Sequence, residues 1–196
     1  MRHALRVPLA LLGVVFVMSQ DAFLFEVIEA ASPAIFQDMM RILTHTADFP
    51  WVLGLFGILW SVGHAAKKVL LLGLGRTCVI TLLLVRAIVE PAKWLIGRAR
   101  PAISAGLEPL FVGPASSDDF HAFPSGHAAS AFGVATGVAG LFPKYRHIAW
   151  IWAWLICLSR VVLGRHFVAD VIAGGILGYC GGYAVMDFYK SRKIQP

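Results

Sequence analysis

The chain has 196 residues, of which 58% are hydrophobic and only 14% charged, and its mean hydropathy is +0.74. A soluble globular domain carries roughly a quarter charged residues, so this composition argues against water as the main solvent and for a lipid bilayer. The formal net charge of +6 does not indicate a nucleic-acid partner, because the basic residues fall in short clusters between apolar runs, as membrane-topology signals do.

At the N-terminus, Arg2 and Arg6 precede an apolar run from Val7 to Met18. Ser19, Gln20 and Asp21 offer no small-x-small cleavage site, so the run reads as an uncleaved first helix continuing past Asp21 toward Phe25. From Asp21 to Asp48, residues such as Leu24, Phe25, Ile28, Phe36, Met40 and Leu43 alternate with polar ones in a helical rhythm. That rhythm predicts short amphipathic helices lying at the membrane interface. Further apolar runs are Trp51–Val62, Val69–Val89, Ala128–Phe142, Ile148–Leu158 and Val168–Met186. Several are shorter than the ~20 residues of an ideal span and must extend into polar flanks. The expected fold is an all-α, polytopic membrane bundle of about six transmembrane helices with short interfacial helices. It forms a single domain over residues 1–196.

The charges sort the connections. Arg2 and Arg6, Lys67 and Lys68, Lys144 and Arg146, then Lys190, Arg192 and Lys193 fall on one side if every run spans. By the positive-inside rule that side is cytoplasmic, as are both termini. The other side receives Asp21–Pro50, Glu90–Pro124 and Ser159–Phe167. Its basic residues Lys93, Arg98, Arg100, Arg160 and Arg165 break the rule and need another reason. Within the spans, Arg86 can pair with Glu90 one turn on, whereas Arg76 has no evident local partner. Gly174, Gly178 and Gly182 recur at four-residue spacing, a surface for close helix packing in lipid. Cys78, Cys157 and Cys180 each sit in an apolar stretch and read as small buried side chains, neither a disulfide framework nor a zinc site.

Three groups of residues share the outer side. The first is Lys93 to Arg100 and Pro101; on a continuing helix, Lys93 and Arg100 would lie two turns apart on nearly one face. Pro101 biases Arg100 away from helical geometry, so the helix should end about there. The second is Phe123-Pro124-Ser125-Gly126-His127, directly before an apolar helix. The third is Ser159-Arg160, followed by His166 and Asp170 at i, i+4 spacing. These residues suit phosphate chemistry. Lys93, Arg100 and Arg160 supply cationic partners for an anionic ester. Ser125 and Gly126 at a helix start offer backbone N–H groups and a positive dipole end. His166 can attack phosphorus, Asp170 can hold its other ring nitrogen if both lie in the first turn of the last helix, and His127 can protonate the departing oxygen. Taken singly, each is ordinary: a lone Lys snorkels, and a Ser-Gly pair often starts a helix. His3, His45, His64, His121 and His147 read as incidental.

The combined pattern, Lys-x6-Arg-Pro, Pro-Ser-Gly-His and Ser-Arg-x5-His-x3-Asp, resembles the type 2 phosphatidic acid phosphatase superfamily, the lipid phosphate phosphatases. The motif positions run from Lys93 to Asp170, and all are present. The resemblance implies a phosphohistidine at His166 oriented by Asp170, with His127 as general acid and then activator of water. It implies phosphate binding by Lys93, Arg100, Arg160, Ser125 and Gly126, and a reaction that needs no metal and no cofactor. One departure stands out: many relatives have aromatic-Pro-Ser-Asp after the nucleophile, where this chain has Phe167-Val168-Ala169-Asp170. The motif does not place Arg98 and Arg165, which read as interfacial, with contact to head groups or to the second phosphate of a diphosphate as the alternative.

The stretch Ala102–Phe123 is long for a connection and lies near the chemistry, so it is expected to cover the site, its acidic residues repelling extra anionic groups. The resulting expectation is a lipid phosphatase of a bacterial inner membrane with its site on the exterior face. Its substrate would be undecaprenyl diphosphate, phosphatidylglycerol phosphate, phosphatidate or lipid A 1-phosphate. A lipid phosphotransferase using the same phosphohistidine is the alternative, with a non-catalytic transporter a remote third.

Overall fold

The computed structural model describes residues 13–15, 17–104 and 110–192. Much of the expected first helix, with Arg2 and Arg6, and also Glu108 and Lys193, lies outside the described residues. Helical residues 13–15 and 17–19 lead into α1 (Asp21–Ala30). Then come α2 (Ala34–His45), α3 (Phe49–Ala65), α4 (Val69–Ile96), α5 (Gly126–Leu141), α6 (Arg146–Val162) and α7 (Val168–Ser191). Short 3-10 turns lie at Pro101–Ile103, Asp118–Phe120 and Pro143–Tyr145. Each of the five apolar runs after Asp48 has become one helix, α3 to α7. Among the described residues there is no strand, only isolated bridges from Arg98 to Phe111 and His121.

The fold is a membrane helix bundle. With 28 and 24 residues, α4 and α7 are long and apolar enough to cross a membrane singly, and α2 with α3 forms a third candidate bent by 42°. The 16 and 17 residues of α5 and α6 reach about 24–26 Å at ~1.5 Å per residue, so they need their polar flanks to complete a crossing. Large apolar side chains such as Trp51, Ile58, Leu83, Ile151, Trp154 and Tyr183 face outward. The interior of α5 is instead built from Ala128, Ala129, Ala131, Gly133 and Ala135. Lipid supplies no hydrophobic drive between helices, so close contact of small residues holds the bundle. The glycine surface on α7 does this work: a Cβ at Gly174 would overlap Ser125 O, and one at Gly178 would overlap Ala129 O. Cys78 and Cys157 are buried as expected, but Cys180 lies on an outward face of α7 and is exposed.

The helix ends sort the charges. Arg76, early in α4, stacks over Tyr189 near the end of α7, 4.3 Å from its ring centroid. Gly174 meets Ser125 at the starts of α7 and α5. Hence the turns carrying Lys67–Lys68 and Lys144–Arg146 and the end of α7 share one end of the bundle, and the motif residues occupy the other. Arg86 pairs with Glu90 at 3.2 Å, as its spacing indicated.

One boundary differs from expectation. The last helical residue of α4 is Ile96, because Gly97 takes a left-handed conformation (φ +55) and its N–H donates to Lys93 O. A side chain at this position would strain the backbone and its Cβ would overlap Gly113 O, so glycine stops the helix one turn early. Arg100 is extended (φ −75, ψ 153). Lys93 and Arg100 therefore do not share a helix face; a turn of the chain, not helical periodicity, brings both toward the site.

Candidate active site

The site is assembled at the end of the bundle where α4 stops and α5 and α7 begin. Lys93, in the last turn of α4, is mostly buried and pairs with Glu90 at 3.2 Å. A Cβ at Gly126 would lie 3.4 Å from Lys93 Nζ, so the missing side chain leaves open space beside this ammonium. Arg100 Nε donates to Asp118 O at 2.7 Å, Nη2 pairs with Asp118 Oδ1 at 2.8 Å, and Nη1 donates to Arg165 O at 3.3 Å. Arg160, 8% exposed, donates from Nη1 to Thr44 Oγ1 at 2.9 Å, while its buried Nε has no hydrogen-bond partner. An unsatisfied buried guanidinium N–H is costly and stands ready for an anion.

His166 lies just before α7, whose N-cap is Phe167, and is 2% exposed. Its Nδ1 is 2.7 Å from Ala122 O. A carbonyl only accepts, so Nδ1 carries the proton and Nε2 keeps its lone pair. Burial, followed by the charges of Arg160 and Arg100, pushes this imidazole well below the ordinary histidine range, so it is neutral near pH 7. The charges of Arg160, Arg100 and Lys93 all act on His166, so cations from the first and third motifs converge on one imidazole.

The expected hydrogen bond from Asp170 to His166 is not made in this structure. His166 is outside the helix and Asp170 is at its third position, so the two do not share a helical turn. Their nearest N–O distance is 3.8 Å, beyond hydrogen-bond range. Asp170 Oδ2 instead accepts from the amide of Phe167 at 2.8 Å, and Oδ1 accepts from Arg98 Nη1. The group that sets the His166 tautomer is the Ala122 carbonyl, positioned when the Ala122 amide bonds to Arg98 O.

Arg98 also departs from expectation. It is not interfacial: at 1% exposure it is the largest fully buried side chain among the described residues. It pairs with Asp170 and, at 2.8 Å, with Asp21 Oδ2; Asp21 Oδ1 accepts from Ala169 N at 2.9 Å. Arg98 thus ties α1, the segment after α4 and the start of α7 together. Arg165 is half exposed and lies 3.6 Å from Asp118. Ser125 does less for an anion than its position implied. Its amide donates to Asp170 O at 3.0 Å and its hydroxyl accepts from Ala128 N at 3.5 Å, so this backbone N–H is already spent.

His127, in the first turn of α5, is held at Nε2 by Asp48 Oδ1 at 2.9 Å. Asp48 was not among the expected site residues, and its other oxygen lies 2.8 Å from Nδ1 of His45, a histidine read as incidental. His121 is also engaged, its Nε2 lying 2.7 Å from Ala115 O. The local signal for Asp48 was slight: an acid before Phe49-Pro50, 79 residues from its partner. A cavity of about 530 Å³ is lined by Arg41, Thr44, His45, Asp48, His127, Arg160, Leu163 and Arg165. A second, about 280 Å³, reaches His127 and Asp48 from the side of Trp51, Arg86 and Ser130.

The loop after α4 does not hang free. Leu110 O accepts from Ala99 N at 2.8 Å, Gly97 O from Val112 N at 3.0 Å and Trp94 O from Ala115 N at 3.0 Å. Asp118, an acid of this loop, holds Arg100 in an ion pair at 2.8 Å.

The chain is similar to known proteins in sequence and in fold. Over 166 residues the chain is 28% identical to the lipid A 1-phosphatase of Rhizobium etli, covering 79% of this chain and 71% of that relative. The crystal structure of Aquifex aeolicus LpxE matches with a TM-score of 0.67 at 25% identity, covering 85% of this chain and 94% of the other. That of a transmembrane PAP2 type phosphatidylglycerolphosphate phosphatase from Bacillus subtilis matches in fold, with a TM-score of 0.71 at 22% identity over 93% of this chain and 94% of the other. The sequence model of the PAP2 superfamily matches residues 74–194, which takes in every motif residue from Lys93 to Asp170, and this chain belongs to that superfamily.

Proposed function

We propose that this chain, acting as a single integral membrane domain, hydrolyses a lipid phosphate or diphosphate through a phosphohistidine on His166. The observation that carries the reading is the hydrogen bond from His166 Nδ1 to Ala122 O, which leaves a neutral imidazole with a free Nε2 lone pair among three cations.

In this mechanism His166 Nε2 attacks phosphorus and the bond to the lipid oxygen breaks. The electron pair leaves with that oxygen, which takes a proton from His127. Lys93, Arg100 and Arg160 neutralise the remaining phosphate oxygens as their charge density grows. Water then attacks phosphorus, giving a proton back to His127, and the P–N bond breaks with its electron pair returning to Nε2. His127 ends the cycle as it began. Gly126 serves by leaving room beside Lys93, and Ser125 by capping α5 and tying it to Asp170.

The site faces the exterior of a bacterial inner membrane in this reading, with both termini cytoplasmic. The support is the separation of the basic turns from the motif end, together with the positive-inside rule. The Rhizobium etli relative makes lipid A 1-phosphate the first substrate to try. The test is phosphate release in detergent micelles, with a chelator present, from lipid A 1-phosphate, undecaprenyl diphosphate, phosphatidylglycerol phosphate and phosphatidate. Wild type should release phosphate from at least one, and His166→Ala should lose it by more than about 10³-fold. Release that survives in His166→Ala, or that the chelator abolishes, refutes the mechanism.

A further inference from the structure

We infer that Asp48 is a positioning residue for the leaving-group acid: it holds His127 by Nε2, balances the charge of its protonated ring, and leaves Nδ1 to hand over the proton. The inference rests on the phosphohistidine reading and extends it to a residue that lies outside all three motifs.

The geometry is direct. An ionised carboxylate only accepts, so the 2.9 Å contact makes Nε2 the protonated nitrogen and Nδ1 the one free to exchange a proton with the lipid oxygen. Asp48 is the N-cap residue of α3, where an aspartate side chain ordinarily bonds back to the helix. Here the carboxylate makes no such bond. It spans two imidazoles instead, with Oδ1 on His127 and Oδ2 on His45 at 2.8 Å. A side chain that forgoes its own cap for a residue 79 positions away is aimed at the site.

The charges around His127 give the pairing its purpose. Burial first, then the charges of Arg160 on α6 and Lys93 on α4, oppose an added proton on its ring, and Arg41 and Arg165 line the same cavity. Glu90 is engaged by Lys93 and Arg86, and Asp118 by Arg100 and Arg165. Asp48 is the anion in contact with His127. Burial opposes its ionisation, but the hydrogen bonds from His45 and His127 outweigh this and hold its carboxyl below the usual carboxylate range. The site therefore keeps an anion where a general acid must carry its proton among cations. When the P–O bond breaks and Nδ1 releases its proton to the lipid oxygen, Asp48 keeps the neutral ring in place to take a proton from water in the second step.

The test is a comparison of leaving groups in the purified full chain. A lipid alkoxide needs a proton as it departs; 4-nitrophenolate does not. Asp48→Asn should lower kcat on the lipid about 30- to 100-fold with KM changed less than ~3-fold, and lower the burst rate of 4-nitrophenolate release from 4-nitrophenyl phosphate, which reads the first step alone, less than ~3-fold. Asp48→Glu should recover part of the lipid activity. His127→Ala should also keep the burst while losing steady-state turnover of both esters, and adding Asp48→Asn to it should cost little more, since the two act as one unit. Equal losses in lipid turnover and in the 4-nitrophenolate burst would mark a merely structural residue and overturn the inference, as would undiminished lipid turnover in Asp48→Asn. His45→Gln is a second probe for the case in which Asp48→Asn does not fold; freeing Oδ2 should cost lipid turnover a few-fold and spare the burst. No loss in His45→Gln, or an equal loss in the burst, then counts against the inference. Failure of the underlying reading is distinct: His166→Ala would then retain activity on both esters.

Discussion

Replacing Arg98 by Met would test the central structural claim, that a buried cation joins α1 to the start of α7 at the motif-bearing end of the bundle. Arg98 is 1% exposed, and its partners Asp21 and Asp170 are 2% and 0% exposed. Its guanidinium also sits 4.5 Å from the Phe167 ring centroid and 5.3 Å from that of Phe111, so Met keeps much of the apolar contact while removing the charge. Two buried carboxylates then face each other with no cation between them. Removing one partner of a buried pair costs on the order of 3–5 kcal/mol, because the remaining charge stays desolvated. For a chain of this size, ~2–4 °C of Tm accompanies each kcal/mol, so Arg98→Met should lower Tm by about 6–20 °C in detergent. The second arm adds Asp21→Asn, which removes one of the stranded charges. The double variant should recover part of the loss, with a coupling on the order of 1–3 kcal/mol. A drop under about 3 °C in Arg98→Met, or strictly additive losses in the pair, would refute the reasoning, because an interfacial arginine behaves that way.

Two further outcomes follow from the same geometry. Asp118 is exposed yet occupies Nη2 of Arg100, whose Nε and Nη1 are held by backbone carbonyls. Asp118→Asn should therefore leave Tm within ~2 °C and tighten competitive inhibition by inorganic phosphate about 2- to 5-fold; weaker inhibition would show that the carboxylate orients Arg100 rather than competing for it. His166 supplies a pH dependence. Its folded pKa lies well below the unfolded value near ~6.5, so below that pH the unfolded chain binds the extra proton and stability falls. Above about pH 6.5 this contribution is flat, and His166→Gln should reduce the acid-side slope of Tm against pH by up to about one proton's worth. An unchanged slope would mean that the imidazole is not held neutral by its surroundings.

Much of this protein was legible in its sequence because lipid imposes simple rules. Apolar runs separated by charged turns became α3 to α7, since a backbone in hydrocarbon must satisfy its own hydrogen bonds within a helix. The glycines at 174, 178 and 182 pack where their spacing placed them, and Arg86 meets Glu90 one turn away. Lys93, Arg100, His127, Arg160 and His166 all reach one end of the bundle, because the motifs that carry them sit at successive helix ends. Contacts between residues far apart in the chain could not be read this way. Local spacing offered Asp170 as the partner of His166, yet the bond goes to Ala122, 44 residues earlier. Asp21 and Asp170 claim Arg98 from 77 and 72 residues away, and Asp48 claims His127 across 79. Sequence periodicity governs what a helix repeats every few residues. Which acid neutralises which buried base is decided only when helices pack, because in a desolvated interior each charge is stable only beside the partner that the fold delivers.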